Sequence, residues 1–310
     1  TTTTVAPALN NAGLVTVQSG TLVLLGNGTH GGTFDGAGTL EFGGGTHTLS
    51  GTSSVTTTNV VVSGGTVTGE GTYDLAGSST TVGSGTLTLT GTVGTLGGVT
   101  VSGGTFNLGG TGTATASGFT LSSGALNLQD TRVLVVAGGG SSAGTVQVGT
   151  GTTLEFGGGT FNLTAGTLQG AGTVHVSGGQ VNLANGSIHQ LTGAINVSGG
   201  QLVAAGSLAA LSANRTLGES FLNQTGGIVT VGADALAVGP HTLMTPSDVV
   251  FDITGGSFTT TGGGHLLSLN GGTATLGGHL LGLSDGAPNV TIAGSVLHAA
   301  STVNGPVGLS

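Results

Sequence analysis

The sequence predicts an all-β protein folded as a single-stranded parallel β-helix, or β-solenoid, and three observations predict it. A short phrase with a Gly-rich corner returns about every twenty residues, which is typical of stacked-repeat architectures. Apolar and polar residues alternate on both sides of each corner, as they do in strands with one buried face. Only 4% of the 310 residues are charged whereas 36% are hydrophobic, a composition opposite to that of a disordered chain.

The repeated phrase occurs eight times in the first two thirds of the chain. Its copies are Leu40–Thr48, Val60–Thr68, Thr80–Thr88, Val99–Asn107, Phe119–Asn127, Leu154–Asn162, Val174–Asn182 and Ile195–Val203. Successive copies start at nearly equal intervals, except for one longer step, from Phe119 to Leu154, that leaves room for an extra coil. We therefore expect each strand to pair with its counterparts in the neighbouring coils, at a spacing of ~4.8 Å.

The copy VHVSGGQVN at Val174–Asn182 shows how one coil is built. Alternation places Val174, Val176 and Val181 on the inner face and His175 on the outer face. Ser177-Gly178-Gly179 forms the corner between two short strands, where glycine adopts positive φ at no steric cost. The outer positions are mostly uncharged, since like charges stacked at ~4.8 Å would repel by about 1 kcal/mol.

Composition changes divide the chain into three predicted regions. We expect a regular β-helix over 1–203, an irregular coil or loop insertion within the solenoid over 204–248, and narrower coils over 249–310. The last prediction rests on three similar segments that begin at His265, His279 and Ser295. They align at a spacing of about 14 to 16 residues, and a fixed spacing of this kind is typical of one coil per repeat. Coils of that length would make the solenoid taper toward its C-terminal end.

The composition also excludes several classes of function. The chain has no Lys, two Arg and a formal net charge of −9, so neither nucleic acid nor a polybasic membrane contact is expected. It has no Cys, which excludes disulfides and thiolate metal sites, and no apolar run approaches the ~18 residues of a membrane span. The first residues lack the features of a signal peptide, so an exported chain would be a processed form or an excerpt.

The phrases VSGGTFNL, VSGGQVNL and LEFGGGTFNL, together with the run HLLSLNGGTATLGGHLL, resemble the repeat tracts of filamentous-haemagglutinin-like adhesins and autotransporter passengers. The resemblance spans most of the chain. It implies a right-handed β-helix on the bacterial surface or outside the cell, with a role in adhesion, aggregation or biofilm matrix. The Asn-Pro-Asn-Gly motif of that family's N-terminal secretion domain is missing.

Carboxylates are the first candidates for catalysis, since parallel β-helices include polysaccharide lyases. Glu41 and Glu155 occupy equivalent outward positions about six coils apart, far beyond the ~5–10 Å of a glycosidase pair. Asp248 and Asp252 would lie ~13 Å apart if they share a strand. A lyase also needs Arg or Lys to stabilise the negative charge that develops on its substrate, and the whole chain has two Arg and no Lys. We expect no catalytic residues and no enzymatic activity.

Metal, cofactor and glycan sites are equally weakly indicated. His265 and His279 lie at matching positions of the predicted short coils and could stack, but Asp285 is the single carboxylate nearby. Repeated GGxGxD calcium motifs are absent, and Gly26–Gly31 matches GxGxxG without a βαβ context. Most Phe fall at inward positions, and the chain has no Trp, so aromatic platforms for glycans are scarce. We expect no metal and no cofactor.

The sequence thus favours a structural subunit or segment of an extracellular bacterial filament. Its partner would be a second copy of itself, stacked head to tail through β-helix edges. Neither end shows a cap; in a complete chain this favours such stacking, and in an excerpt it carries no information. The first alternative is a surface adhesin that binds glycan or protein on other cells through 204–248.

Two lesser alternatives remain open. TxT segments at 66–68, 86–88 and 113–115 could align on one face and resemble the Thr array of ice-binding proteins, although outward residues vary between coils. A polysaccharide lyase-like enzyme is the other.

Overall fold

The computed structural model describes residues 1–75, 77–184, 190–211, 213–245, 249–284, 288–300 and 302–304. The chain is all-β, and its strands pair in parallel in coils that form a β-solenoid, which confirms the predicted fold class. It divides into two compact units, Thr1–Thr153 and Leu154–Ser310. This division differs from the three regions expected from composition.

The strands of the first unit are short and follow one another around each coil. They are β1 (Thr2–Val5), β2 (Leu14–Thr16), β3 (Thr21–Leu24), β4 (Gly28–His30), β5 (Thr33–Asp35), β6 (Thr39–Phe42), β7 (Thr46–Leu49), β8 (Ser54–Val55), β9 (Asn59–Val62), β10 (Thr66–Gly69), β11 (Thr72–Tyr73), β12 (Ser79–Val82), β13 (Thr86–Leu89), β14 (Thr92–Val93), β15 (Thr95–Val101), β16 (Thr105–Leu108), β17 (Thr113–Leu121), β18 (Ala125–Leu128), β19 (Val133–Val136), β20 (Gly140–Ser142) and β21 (Thr145–Val148).

The strands from the unit boundary onward are also short and also follow one another around each coil. They are β22 (Thr153–Phe156), β23 (Thr160–Leu163), β24 (Thr167–Gly170), β25 (Thr173–Val176), β26 (Gln180–Leu183), β27 (Gln190–Leu191), β28 (Ile195–Val197), β29 (Gln201–Ala204), β30 (Ala209–Ala210), β31 (Arg215–Thr216), β32 (Leu222–Gln224), β33 (Ile228–Val231), β34 (Leu236–Val238), β35 (Thr242–Thr245), β36 (Phe251–Ile253), β37 (Ser257–Thr260), β38 (Leu267–Leu269), β39 (Thr273–Leu276), β40 (Leu281–Leu283), β41 (Asn289–Thr291), β42 (Leu297–Ala299) and β43 (Thr302–Asn304).

The first unit presents three faces, each a parallel sheet. Face I consists of β1, β3, β6, β9, β12, β15, the second half of β17, and β20, while β19 pairs with the first half of β17. Face II consists of β4, β7, β10, β13, β16, β18 and β21. Face III consists of β2, β5, β8, β11 and β14. Paired residues are about 20 positions apart in the chain, as the repeat predicts.

Inward side chains of successive coils stack into apolar ladders. On face II, Val67, Leu87, Phe106 and Leu126 follow one another in register, and each is 0% exposed. The residues between them along the strands point outward and are partly exposed. Strand alternation therefore decides the core, which lies inside the coils.

The Gly corners are close backbone contacts as well as turns. Gly179 has a φ of +64°, in the left-handed region that glycine adopts freely. A Cβ atom at this position would lie 2.3 Å from the carbonyl oxygen of Gly159 in the preceding coil. The corner glycines thus allow the coils to stack at strand spacing.

The coils of the second unit widen instead of narrowing. The sets β22–β24 and β25–β27 have three strands, whereas β28–β31, β32–β35, β36–β39 and β40–β43 have four. The register pairs Ile195 with Leu222, Leu222 with Phe251 and Phe251 with Leu281, so one turn of these coils takes more of the chain than one turn in the first unit. The fourth strand per coil arises because two parallel sheets, β30-β34-β38-β42 and β31-β35-β39-β43, take the place of the one that contains β24 and β27.

The prediction of short C-terminal coils, one for each of the similar segments, is therefore wrong. The segments that begin at His265 and His279 contain β38 and β40, which belong to different sheets. Leu267 of β38 pairs with Leu297, whereas Leu281 of β40 pairs with Phe251. The similar segments are therefore about half a coil apart and lie on two different faces. They look alike because strands of both sheets have the same Leu-rich pattern.

The segment 204–248 was expected to be irregular. Its described residues contain β30 to β35, and β32 to β35 pair in parallel on both edges with neighbouring coils. The twenty-residue period loosens here because each coil gains a strand. Asp248, one of the candidate carboxylates, lies outside the described residues.

Candidate functional site

Two glutamates in similar LEFGGG phrases each bond to the next coil on the outer surface, but they are not equivalent in the fold. Glu41 lies in β6 on face I, whereas Glu155 lies in β22, which pairs with β19 and so follows the first half of β17 rather than its face I half. Glu41 accepts a hydrogen bond from the Ser63 hydroxyl at 2.6 Å, and Glu155 accepts one from the Ser177 hydroxyl at 2.5 Å. Each serine lies one coil further along, just after the paired strand. The outward direction predicted for both glutamates agrees with the structure, in which the flanking Leu and Phe are buried.

Around Glu155 the contact extends into a chain of polar side chains. His175 Nδ1 lies 3.8 Å from Glu155 Oε2, and His175 Nε2 lies 2.8 Å from the hydroxyl oxygen of Ser198. These residues come from three successive coils, in which β22, β25 and β28 are neighbours in one sheet. We call Glu155, His175 and Ser198 the outer polar trio. In the coils around Glu41 the position that corresponds to His175 is Val61, so the trio occurs there only in part.

The outer polar trio has the order of a nucleophile, a base and an orienting carboxylate, and it lies on the partly exposed outer surface. The side chains of His175 and Glu155 are 28% and 26% exposed, so water competes with their interaction. Acyl transfer also needs preorganised donors in a site from which water is excluded. The trio is best described as a coil-to-coil contact. Sequence reasoning missed it because its residues lie in three different coils.

The predicted stacking of His265 on His279 is wrong. His265 instead stacks on His298, with ring centroids 4.5 Å apart and planes 12° from parallel. The backbone N–H of Ser295 donates to His265 Nδ1 at 2.8 Å, which occupies that lone pair. Asp285, the carboxylate expected near this pair, lies outside the described residues. Within the described residues, no group of three or more His, Asp or Glu is arranged to hold a metal ion.

Two histidines lie in the core of the first unit, which the sequence pattern did not predict. His30 and His47 are both 0% exposed, and His30 Nε2 lies 3.1 Å from His47 Nδ1. His47 Nε2 lies 3.1 Å from the carbonyl oxygen of Gly44, so it is the protonated nitrogen of that ring. His30 therefore donates to His47. Burial, and secondarily the nearby His47, lowers the pKa of His30 from 6.5 to about 4.

The two arginines are buried, but only one of them is satisfied. Arg132 Nε donates to the carbonyl oxygen of Gly109 at 2.7 Å, and its Nη2 donates to Gly91 at 2.8 Å. Arg215 is 4% exposed, and its three side-chain nitrogens have no hydrogen-bond partner among the described residues. Its guanidinium carbon lies 5.3 Å from the centroid of the Phe221 ring. Burial lowers the pKa of Arg215 to about 10, so the group is charged at neutral pH.

We expect Arg215→Leu to leave the free energy of unfolding unchanged or to raise it by about 1–3 kcal/mol, because it removes a buried charge that has no hydrogen-bond partner among the described residues. Leucine is also the in-register neighbour, Leu243. Arg132→Leu is the matched control, and it should lower the unfolding free energy by about 1–3 kcal/mol because two buried carbonyls lose their donors. Urea unfolding followed by circular dichroism measures both. Equal destabilisation by the two substitutions would contradict this account of Arg215.

No family model matches the chain, and neither the curated proteins nor the solved structures contain a match to it. In the described part of the chain, no helix has the length and hydropathy needed to span a membrane. A functional proposal therefore rests on the fold and the side chains described above.

Proposed function

We propose that this chain is a non-enzymatic structural segment of an extracellular bacterial filament, assembled by end-to-end pairing of β-helix edges. One observation carries the proposal. Within each unit the strand pairs of the described residues are parallel and mostly in unbroken register, so every coil presents the same kind of backbone edge on its two sides. The coil β40–β43 has one strand more than the coils of the first unit, so an edge of one copy matches the opposite edge of another over part of its outline, and such head-to-tail contacts generate open filaments.

Outward side chains support the same proposal. Ladders of neutral side chains connect adjacent coils: Asn127 donates to Asn107 at 2.8 Å, and Asn182 donates to Asn162 at 2.8 Å. Such amide ladders stiffen a stack without the repulsion of like charges. An extracellular location follows only from the resemblance to bacterial surface repeat tracts and is part of the proposal.

Strand β1 offers a direct way to test edge pairing. Thr1 and Val5 accept hydrogen bonds from Thr21 and Leu25, so alternate residues of β1 face β3. The backbone N–H of Thr4 consequently points away from β3, toward an edge that is unpaired in the described structure. Thr4→Pro removes this donor while the hydrogen bonds to β3 are retained.

We expect the unmodified chain to form species larger than one chain as concentration rises in sedimentation velocity. Thr4→Pro should weaken this assembly, and the control Thr4→Ala, which keeps the N–H, should not. A single monomeric species at every concentration would contradict the proposal. Equal assembly of the Pro variant would show that the β1 edge is not the contact.

The non-enzymatic part has its own test. We expect the chain not to cleave polygalacturonate. Any background hydrolysis of a model ester should be the same in the unmodified chain and in Ser198→Ala. Turnover of either substrate that depends on Ser198 or His175 would overturn it.

The adhesin alternative has weaker support. Ile228 and Met244 are exposed apolar residues in the segment 204–248, at 43% and 48%. Single exposed apolar side chains are common on protein surfaces and do not define a binding site.

A further inference from the structure

Face II of the first unit carries two straight columns of outward side chains. The first column contains Thr46, Thr66, Thr86, Thr105, Ala125 and Thr145. The second contains Thr29, Thr48, Thr68, Thr88, Asn107, Asn127 and Gln147. The register thus aligns threonines that lie one coil apart in the chain. Variation between coils occurs on face II at Asn107, Ala125, Asn127 and Gln147, and on face I, where Val23, Glu41 and Val61 share a column.

The spacing of the two columns is set by backbone geometry. Neighbours within a column are one strand apart, ~4.8 Å, and the two columns are two residues apart along the strand, ~6.6 Å. The β-branched threonines have few rotamers, so their hydroxyl and methyl groups repeat at these intervals. On β7, β10 and β13 the result is a two-dimensional lattice of six threonines, with both repeats close to those between oxygen atoms in ordinary ice. Asn107, Ala125 and Asn127 interrupt the lattice further along the face.

The threonine hydroxyls are available to solvent. Those of Thr46, Thr66 and Thr86 make no hydrogen bond within the described chain, and Thr46 and Thr66 are exposed. At one end of the face the second column is fixed by hydrogen bonds, since Asn127 donates to Asn107 and Asn107 donates to Thr88 at 3.1 Å. No charged side chain projects from the seven strands of face II. The face therefore complements a neutral, hydrogen-bonding partner.

Size and chemistry distinguish between neutral partners. Seven strands of about four residues cover about 400 Å², half of the ~800 Å² that each partner of a stable protein complex buries. The outward positions of face II contain no Trp, Tyr or Arg, the side chains that anchor most protein interfaces. Nor do they contain an aromatic ring on which a sugar could stack. A crystalline water surface requires neither anchor, because it is matched by repetition alone.

We infer that the threonine columns of face II bind ordered water at the surface of ice. The hydroxyls hydrogen-bond water, and the methyl groups occupy the spaces between water molecules. Adsorbed chains then force the ice front to grow between them with higher curvature, which lowers the freezing temperature below the melting temperature. This activity is independent of filament assembly and needs only one copy of the first unit's face within the full chain.

Nanolitre osmometry of the full chain tests the inference through thermal hysteresis and ice-crystal shape. We expect faceted crystals and measurable hysteresis for the unmodified chain, and loss of both in Thr68→Tyr, which places a bulky ring in the middle of the second column. Thr100→Tyr is the matched control, since Thr100 is an outward residue of β15 on face I and its substitution should retain both effects. Circular dichroism and unfolding midpoints verify that both variants fold.

Round ice crystals and no hysteresis with the folded, unmodified chain would overturn the inference. Equal losses in Thr68→Tyr and Thr100→Tyr would also overturn it, because the effect would then not belong to face II. Retention on insoluble cellulose or chitin, without an effect on ice, would assign the face to a polysaccharide surface and contradict the ice assignment.

Discussion

Replacing Phe106 with alanine is expected to lower the free energy of unfolding by about 3–5 kcal/mol. Phe106 is 0% exposed and stacks in register between Leu87 and Leu126 in the inner ladder of face II. Truncation removes the burial of an aromatic ring and leaves a cavity that the neighbouring coils cannot close, since the strand spacing is fixed by backbone hydrogen bonds. Urea unfolding monitored by circular dichroism provides the measurement.

Thr105→Ala is the control for Phe106→Ala, because Thr105 is the preceding residue of the same strand and points outward. It should change the free energy of unfolding by no more than about 0.5 kcal/mol. A large effect at Thr105 together with a small effect at Phe106 would place the core on the opposite side of the strand. Such a result would contradict the register of the whole first unit, since a shift by one residue exchanges every inward and outward side chain.

Acidification is expected to destabilise the first unit through His30. Its pKa is about 4 in the folded chain and 6.5 as the ordinary value, so the unfolded chain binds a proton first as the pH falls. The stabilisation is complete above pH 6.5 and is lost progressively toward pH 4, by about 3 kcal/mol in total. The physical cause is that a charged imidazolium would lie in a box formed with Phe34, Phe42 and His47.

The pH dependence is measured as urea midpoints between pH 4 and pH 8. In the double variant His30→Leu/His47→Val the loss between pH 6.5 and pH 4 should largely disappear. Leu49 and Val67 occupy the same ladders one coil further on, so the replacements follow the existing packing. An unchanged pH dependence in the double variant would show that other groups control acid stability.

The sequence predicted the strands and corners well because both are local properties. Alternation determines which face of a strand is buried, and Gly corners such as Gly179 determine where the chain turns. The coil cross-section could not be predicted in the same way. The step from three to four strands per coil at β28 depends on which Leu-rich strands pair, and the segments starting at His265 and His279 look alike whether they lie on neighbouring coils or on two faces.

The candidate surfaces could not be predicted from the sequence either, because they depend on which strands pair and in which register. The threonines of face II are visible in the sequence as TxT segments, but their alignment in two columns follows only from the pairing of β7, β10 and β13. The outer polar trio joins Glu155, His175 and Ser198 across three coils, and no short motif marks it. The burial of Arg215 was hidden for another reason: a guanidinium at an inward position breaks the alternation rule that located the core.

The central claim, that stacked parallel coils continue from one chain to the next, is tested most directly by cryo-electron microscopy of the purified chain. The account predicts filaments much longer than one chain, with a repeat of ~4.8 Å along the filament axis because the strands lie across it. Particles no larger than a single chain at all concentrations would contradict it. Filaments whose ~4.8 Å repeat lies across the axis would contradict end-to-end stacking as well.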